Sequence, residues 1–294
     1  MESLFKKTRL APTPSGFLHL GNIFSFALTA AIANKTGAHM LLRIDDMDRE
    51  RLDEAYVQDI FDMLSFLQIP FDEGPKTVAD FENNYSQLHR LSLYNSALQQ
   101  LKDEGQVYAC ACSRTQIARD SINGAYPGTC RHKGLPLDAD KVSWRLRTAP
   151  DKIISIKTLA GETIQSTLPA EMSDLVVRKK DGYPAYQVCS LLDDLRFGVD
   201  LVVRGQDLWA STLAQLYLAE LLGKTDFLNT TFHHHLLLSD NGLRKLSKSA
   251  GDTSIRYLRQ QDLSPEDIYL LISKQLNTET PLRTWKDFSA LIPA

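Results

Sequence analysis

The sequence predicts an α/β fold whose parallel sheet is interrupted by a turn-rich insert and followed by a short helical segment. Three observations carry this. Near the N-terminus a strand, a stiff loop, a helix and a second strand follow one another, which is the βαβ unit of a parallel sheet. From Val107 to about residue 170 the texture changes to short strands separated by turns. From Leu201 the alternation of strands and helices returns, and after residue 254 only helices are indicated.

The first strand is expected over 9–11. It leads into Ala11-Pro-Thr-Pro-Ser-Gly-Phe-Leu-His-Leu-Gly-Asn22, where two prolines stiffen the chain and two glycines permit close backbone approach. The spacing predicts a helix over 23–36, stopped by Thr36-Gly37. A compact apolar strand over 39–44 ends in the charged cluster Asp45-Asp46-Met-Asp48-Arg49. Ligands of open parallel sheets gather at the C-terminal ends of strands, so His19 and this cluster are expected to face one crevice. Residues 54–67 form an amphipathic helix, and a second helix runs from about 84 to 104. The insert carries strands over 143–147, 153–157 and 162–165. Segments 174–178 and 185–188 read as a hairpin around Asp181-Gly182, a favoured turn pair. Cys189, just after it, is expected to be a buried thiol. A strand over 201–204 follows, then a helix capped by Asp207 and running to about Leu222. A strand over 232–238 precedes Lys245-Leu-Ser-Lys-Ser249 on a glycine-flanked loop. Helices near 254–260 and 265–276 close the chain. This divides the protein into 1–106, the first half of the sheet domain; 107–185, the insert; 186–250, the second half; and 251–294, the short helical segment.

At 294 residues the chain has room for one large or two modest domains. Its 43% hydrophobic and 23% charged content is ordinary for a folded protein. No apolar run approaches the length needed to span a bilayer, and the first nine residues lack a signal peptide's apolar core. A cytoplasmic protein with no membrane partner, working as a monomer, is expected. In that compartment four cysteines point to thiols or a metal rather than disulfides. The net charge of −3 does not advertise nucleic acid, although a local basic face can hide in a balanced total. Internal repeats and low-complexity tracts are absent from the sequence.

Two motifs carry the chemistry. His19-Leu-Gly-Asn22 precedes a helix, whose N-terminus favours anions through its N–H groups and dipole. Taken alone it reads as a helix-capping turn with an incidental histidine. Lys245-Leu-Ser-Lys-Ser249 alone fits a solvated loop. Together, one opening the first strand–helix unit and the other following the last strand, they resemble the paired motifs of class I aminoacyl-tRNA synthetases. The resemblance implies a Rossmann-type catalytic domain in which His19 bonds ATP phosphate oxygens and Lys248 neutralises charge building on the α-phosphate and pyrophosphate, assisted by Lys245. It adds Pro12, Gly21 and Asn22 to the ATP site, with Mg2+ accompanying ATP.

Arg9-Leu-Ala-Pro-Thr-Pro-Ser-Gly16, Arg43-Ile-Asp-Asp-Met-Asp48, Tyr183-Pro-Ala-Tyr-Gln187, Asp193-Asp194 and Val203-Arg-Gly205 are similar to the glutamyl branch of that class, over roughly residues 7–260. By position this implies a glutamate pocket of Arg9, Ala11, Thr13, Asp45, Tyr186 and Arg204. Two arginines and one acid match a ligand with two carboxylates and one ammonium. The bland alternative for Arg9 and Arg204 is salt bridging to Asp45 and Asp46. Asp45 departs from the branch's usual glutamate by one methylene, and Asn22 replaces the final histidine of the general class motif.

About 45 residues follow Ser249, where full-length glutamyl enzymes continue into a large anticodon-binding region. In this the chain resembles the truncated paralogues, the glutamyl-Q tRNA(Asp) synthetases. That resemblance implies no anticodon-binding domain, activation of glutamate by ATP, and transfer of the glutamyl group to queuosine in the anticodon stem-loop of tRNA(Asp). Alternatives are transfer to a tRNA 3′ end or a non-tRNA acceptor, or a non-catalytic tRNA- or nucleotide-binding paralogue. Cys110-Ala-Cys112 and Cys130 in the insert supply three thiols for a tetrahedral structural zinc. Chemistry alone offers His132 as the fourth ligand, whereas the resemblance offers Tyr126. The insert is thereby expected to be a zinc-bearing, acceptor-binding-like subdomain. In His233-His-His235 only the outer two share a strand face, which argues against a metal there. Arg178-Lys-Lys180 sits at the expected hairpin tip, a solvated turn or a contact for RNA phosphates.

Overall fold

The computed structural model describes residues 3–121, 124–238 and 254–292, and among them the chain forms two compact units. The first comprises 1–87, 199–206 and 232–294; the second comprises 88–198 and 207–231. Lys245 and Lys248 lie outside the described residues. Among the described residues no helix is long and apolar enough to cross a membrane.

The first unit is built on parallel strands β1 (Lys7–Leu10) and β2 (His39–Leu42), paired from Lys7↔His39 to Leu10↔Leu42. Strand β8 (Leu201–Gly205) lies beside β1: the Asp200 N–H donates to Lys7 O at 3.1 Å. The Asp200 carboxylate in turn accepts from the Lys6 and Lys7 N–H groups. Strand β9 (Thr231–His235) neighbours β8. The crossover from β1 to β2 is helix α1 (Leu20–Thr36), rich in alanine and buried along most of its length. Alanine favours the helix and leaves room for close packing, and a helix buried nearly all round belongs in a core. Phe24 of α1 meets His235 edge-on at 4.7 Å and Phe288 at 6.1 Å. Helix α1 ends at Gly37, whose φ of +75° suits a residue without Cβ. The 3₁₀ turn Trp285–Leu291 and α10 (Pro265–Leu276) pack on α1, while α2 (Glu54–Phe66) packs with the single turn α3 (Val78–Asp80) and α9 (Ile255–Gln260).

The second unit holds the antiparallel sheet β3 (Val107–Cys110), β4 (Ser143–Leu146), β7 (Val176–Arg178), in that order, and the hairpin β5 (Ile153–Thr158)–β6 (Thr163–Thr167). Its helices are α4 (Leu91–Asp103), α5 (Arg114–Asp120), α6 (Tyr186–Arg196), α7 (Trp209–Leu221) and the short α8 (Thr225–Leu228). Its interior contains an ion pair: Arg90 donates from Nε to Asp193 Oδ1 at 2.7 Å and from Nη2 to Oδ2 at 2.9 Å. Tyr94 donates to the same Oδ1 at 2.6 Å. The bidentate geometry and the third donor are what make burial of this pair tolerable.

Several boundaries differ from expectation, each for a local reason. Helix α1 begins at Leu20 rather than 23, because His19 itself serves as the cap. The helix expected over 84–104 is split into a π turn at Phe81–Tyr85, a 3₁₀ turn at Gln87–Arg90, and α4. The break at Ser86 lets its Oγ and the Gln87 N–H both reach the buried Asp46 carboxylate, at 2.6 and 2.7 Å. The expected hairpin after Asp181-Gly182 is reduced to a single bridge between Arg178 and Pro184. Residues from Tyr186 onward are helical, since Val188, Leu191, Leu192 and Leu195 recur at helical rather than alternating spacing. Cys189 is buried in that helix. Asp207 sits within a 3₁₀ turn and is not a cap; α7 starts after Leu208 without a side-chain cap bond. Strand β9 stops at His235.

Asp193→Ala strips the carboxylate from a buried guanidinium and should destabilise the protein by about 3–5 kcal/mol. Urea unfolding checks this: the midpoint falls while the slope is unchanged.

Candidate functional site

Pairing between the first two strands continues past their ends. The Arg43 N–H donates to Leu10 O and the Asp45 N–H to Pro12 O, each at 2.9 Å. The loop after β1 and the acidic segment after β2 therefore leave the sheet side by side. Further along, the loop is pinned at Leu18: its N–H donates to the buried Asp59 carboxylate on α2 at 2.9 Å, and its carbonyl accepts from Ile255 N–H at 2.8 Å. Between these anchors Pro12 is buried, Ala11 is half-buried and Thr13 is exposed.

His19 follows directly as the N-cap of α1. Its Nδ1 accepts from the Gly21 N–H at 3.1 Å, and its own N–H donates to Asn22 Oδ1 at 3.0 Å. A Cβ on Gly21 would stand 3.0 Å from the imidazole Cε1, so a larger residue there would press on the ring that caps the helix. With Nδ1 accepting, the neutral ring carries its proton on Nε2, which leaves an N–H donor at the exposed edge of the loop. Desolvation by the surrounding loop lowers the His19 pKa from 6.5, which favours that neutral form. The Gly21 N–H is thus committed to the imidazole, and the ring passes a donor function outward.

Arg9 on β1 and Arg204 on β8 are both only 4% exposed. Arg9 Nη1 donates to Val203 O at 3.3 Å, and the Arg204 guanidinium lies over the Phe232 ring at 5.4 Å. Asp45, 5% exposed, is gripped by Arg43: Nε to Oδ1 at 2.7 Å and Nη2 to Oδ2 at 3.1 Å. Asp46 pairs with Arg49 at 2.6 Å as well as with Ser86 and Gln87. Arg43 stands outside the residues that the resemblance assigns to the pocket. Its signal was the i, i+2 spacing, which puts Arg43 and Asp45 on one face of an extended segment. His234 stacks on Phe232, and burial followed by the Arg204 charge lowers its pKa to about 3, so it stays neutral.

Arg9, His19, Asp45 and Arg204 belong to the first unit, and Tyr186 and the cysteines to the second. Tyr186, 39% exposed, is the first residue of α6 and lines a cavity of about 370 Å³ with Tyr126, Arg145, Glu171 and Gln187.

Cys110, Cys112 and Cys130 present three sulfurs within 4.8 Å of one another, the one such group of metal-ligating side chains among the described residues. His132 is not part of it. The Tyr126 hydroxyl instead lies 3.3 Å from Cys110 Sγ and 3.9 Å from Cys112 Sγ, while Cys112 and Cys130 Sγ are 3.5 Å apart. A tetrahedral ion with sulfur at roughly 2.3 Å and oxygen at roughly 2.0 Å spaces its donors about 3.8 Å (S–S) and 3.5 Å (S–O). The three spacings observed are near those of such an ion. Burial pushes the Cys110 thiol up, but hydrogen bonding to Tyr126 and Arg145 outweighs it and brings it down to about 7. Burial and the neighbouring thiols raise Cys112. Behind the site, Asp174 holds a left-handed backbone (φ +47°) and accepts from Tyr108 Oη at 2.6 Å, from Thr148 N–H and Oγ1 at 3.0 and 3.2 Å, and from Arg131.

The sequence profile of tRNA synthetases class I (E and Q), catalytic domain, matches residues 6–279. A glutamyl-Q tRNA(Asp) synthetase of Symbiobacterium thermophilum is 35% identical over 88% of this chain and 83% of its own length. One of Rhodobacter capsulatus is 33% identical over 90% of this chain and 99% of its own. Glutamate-tRNA ligase 2 of Syntrophus aciditrophicus is 31% identical, and there the match spans only 56% of the longer relative. The crystal structure of glutamate-tRNA synthetase from Elizabethkingia anophelis superposes with a TM-score of 0.73 over 92% of this chain and 61% of that one, at 22% identity, a likeness of fold. With the profile spanning nearly the whole chain, the protein belongs to the class I tRNA synthetases of the E and Q type, a family of ATP-dependent ligases.

Proposed function

We propose that the protein activates glutamate with Mg·ATP to glutamyl-adenylate and transfers the glutamyl group to queuosine in the anticodon of tRNA(Asp). The observation that carries the activation step is the capped loop: His19 keeps a neutral Nε2–H donor at the mouth of α1, beside strands that bear two buried arginines. The acceptor rests on kinship with relatives named for that reaction, one of which this chain matches over 99% of its length.

In this reading the glutamate α-carboxylate attacks the α-phosphorus and pyrophosphate leaves; an acceptor hydroxyl then attacks the acyl carbon and AMP leaves. No protein nucleophile is needed, so the chain contributes positioning and charge. His19 Nε2–H, Lys245 and Lys248 meet the phosphates, with Pro12, Gly21 and Asn22 shaping the ATP site. Arg9 and Arg204 pair with the ligand's carboxylates, Asp45 takes its ammonium, and Ala11 and Thr13 line the same pocket. The Arg43 grip bears on Asp45's shortened reach, since it orients the carboxylate rigidly at the end of the strand. Residues 1–106 and 186–250 act as halves of the catalytic domain, 107–185 as the insert and 251–294 as the helical close. Cys110, Cys112, Cys130 and Tyr126 hold a structural zinc, which would fix the insert and take no part in the chemistry. Tyr126 is preferred to His132 because its hydroxyl stands among the sulfurs.

Lys248→Ala is expected to lower glutamate-dependent ATP–pyrophosphate exchange by orders of magnitude with the fold intact; unchanged exchange sinks the activation reading. Transfer of labelled glutamate to tRNA(Asp) should require queuosine, and equal transfer to unmodified tRNA would favour a 3′-end acceptor.

His19→Asn keeps a good capping residue but removes the ring donor, so exchange should fall about a hundredfold with little change in stability. In the wild type, nitrogen NMR should find His19 in the Nε2–H form at neutral pH. Its folded pKa lies below the unfolded value of 6.5, so protonation and the accompanying loss of stability set in only as pH falls below 6.5.

Protein purified without added metal should carry about one zinc per chain. Tyr126→Phe should weaken its retention and His132→Ala should not.

A further inference from the structure

The thiol site is braced by two cations that the reaction proposed above does not use. Lys180 reaches back from the turn after β7, and its Nζ donates to Ala111 O at 2.8 Å. Ala111 is the residue between Cys110 and Cys112, so this bond closes on the Cys-x-Cys turn itself. The other members of the basic run are turned elsewhere: Lys179 pairs with Asp181 at 3.0 Å, and Arg178 lies over the Trp144 ring at 5.0 Å. From the other side comes Arg145 of β4, which is buried. Its Nη1 donates to Asp174 O at 2.8 Å, and its guanidinium carbon lies over the Tyr126 ring, 3.7 Å from the centroid.

Three thiolates around one divalent ion leave a net negative charge, and in a half-buried site such charge is costly unless offset nearby. Cations beside thiolates supply that offset. The two side chains also act on different parts of the site, one on the turn that spaces two sulfurs and the other on the ring that offers the fourth donor. Partners of this kind, behind the ligands themselves, commonly govern how tightly a metal is held. We infer that Lys180 and Arg145 are positioning residues of the Cys110–Cys112–Tyr126–Cys130 site, holding its donors in register and offsetting the charge the thiolates keep once a divalent ion is bound. The inference rests on the metal reading given above. Lys180 is exposed, so its contribution is screened by salt; Arg145 is buried and its contribution is not.

The test is the rate at which zinc passes from the full-length, zinc-loaded protein to a chromophoric chelator. Lys180→Met should release zinc roughly tenfold faster than wild type, Lys180→Arg should stay near wild type, and the gap should narrow at high salt. Arg145→Lys, which keeps the charge but loses the guanidinium over the Tyr126 ring, should fall between and show no such salt effect. The metal-free forms of wild type and Lys180→Met should unfold alike. Equal release from wild type and Lys180→Met overturns the inference, as does an equal loss of stability in the metal-free form, which would make Lys180 an ordinary structural contact. A wild-type protein that neither carries nor takes up zinc overturns the metal reading together with the inference.

Discussion

Two backbone hydrogen bonds, from Arg43 to Leu10 and from Asp45 to Pro12, hold the candidate site of the first unit together. They extend the β1–β2 pairing beyond the regular strands, at the point where a proline-bearing loop would otherwise part from its neighbour. Because of them the loop carrying His19 and the segment carrying Asp45 emerge in fixed register. The bond from Leu18 to Asp59 then sets where the loop ends and α1 begins. A buried carboxylate on α2 is raised in pKa by its desolvation, and the backbone donor from Leu18 partly compensates. Helix start, cap and donor direction all follow from these few bonds.

Buried charge is handled differently in the two units. In the second, Arg90 and Asp193 pair in two-pronged fashion with Tyr94 as a third member. In the first, Arg9 and Arg204 sit on adjacent strands with carbonyl and aromatic contacts, while Asp45 is taken by Arg43. Burying a guanidinium is costly unless its surroundings compensate, so each of these arginines is tied to the contacts around it.

Much of this was legible in the sequence, for physical reasons that differ by element. The βαβ opening was clear because two short strands flank an apolar run of helical length that Gly37 stops. The grouping of Cys110, Cys112 and Cys130 followed from short spacings, which confine the geometry. The exact start of α1 was missed because histidine is an uncommon cap, and its role shows only once the Nδ1–Gly21 bond is seen. The segment beginning at Tyr186 was read as a strand because a strong turn pair precedes it, and the helical spacing further on was outweighed. The break at Ser86 could not be read locally at all, since its cause, Asp46, lies 40 residues earlier. The grip of Arg43 on Asp45 was within reach of simple alternation. Residue chemistry pointed to His132 and the resemblance to Tyr126, and no local pattern shows how the Tyr126 hydroxyl comes beside the sulfurs.

The left-handed backbone of Asp174 limits what evolution can place there. Glycine would suit the φ angle but would leave Tyr108, Thr148 and Arg131 without their shared acceptor. A glutamate would bring the same oxygens on a longer arm, with a backbone preference that resists this conformation. Asparagine tolerates the backbone yet gives up the charge that draws in Arg131. The position behind the thiol site thus admits almost no drift, although it touches no sulfur: tolerance to mutation here is set jointly by a torsion angle and a count of acceptors.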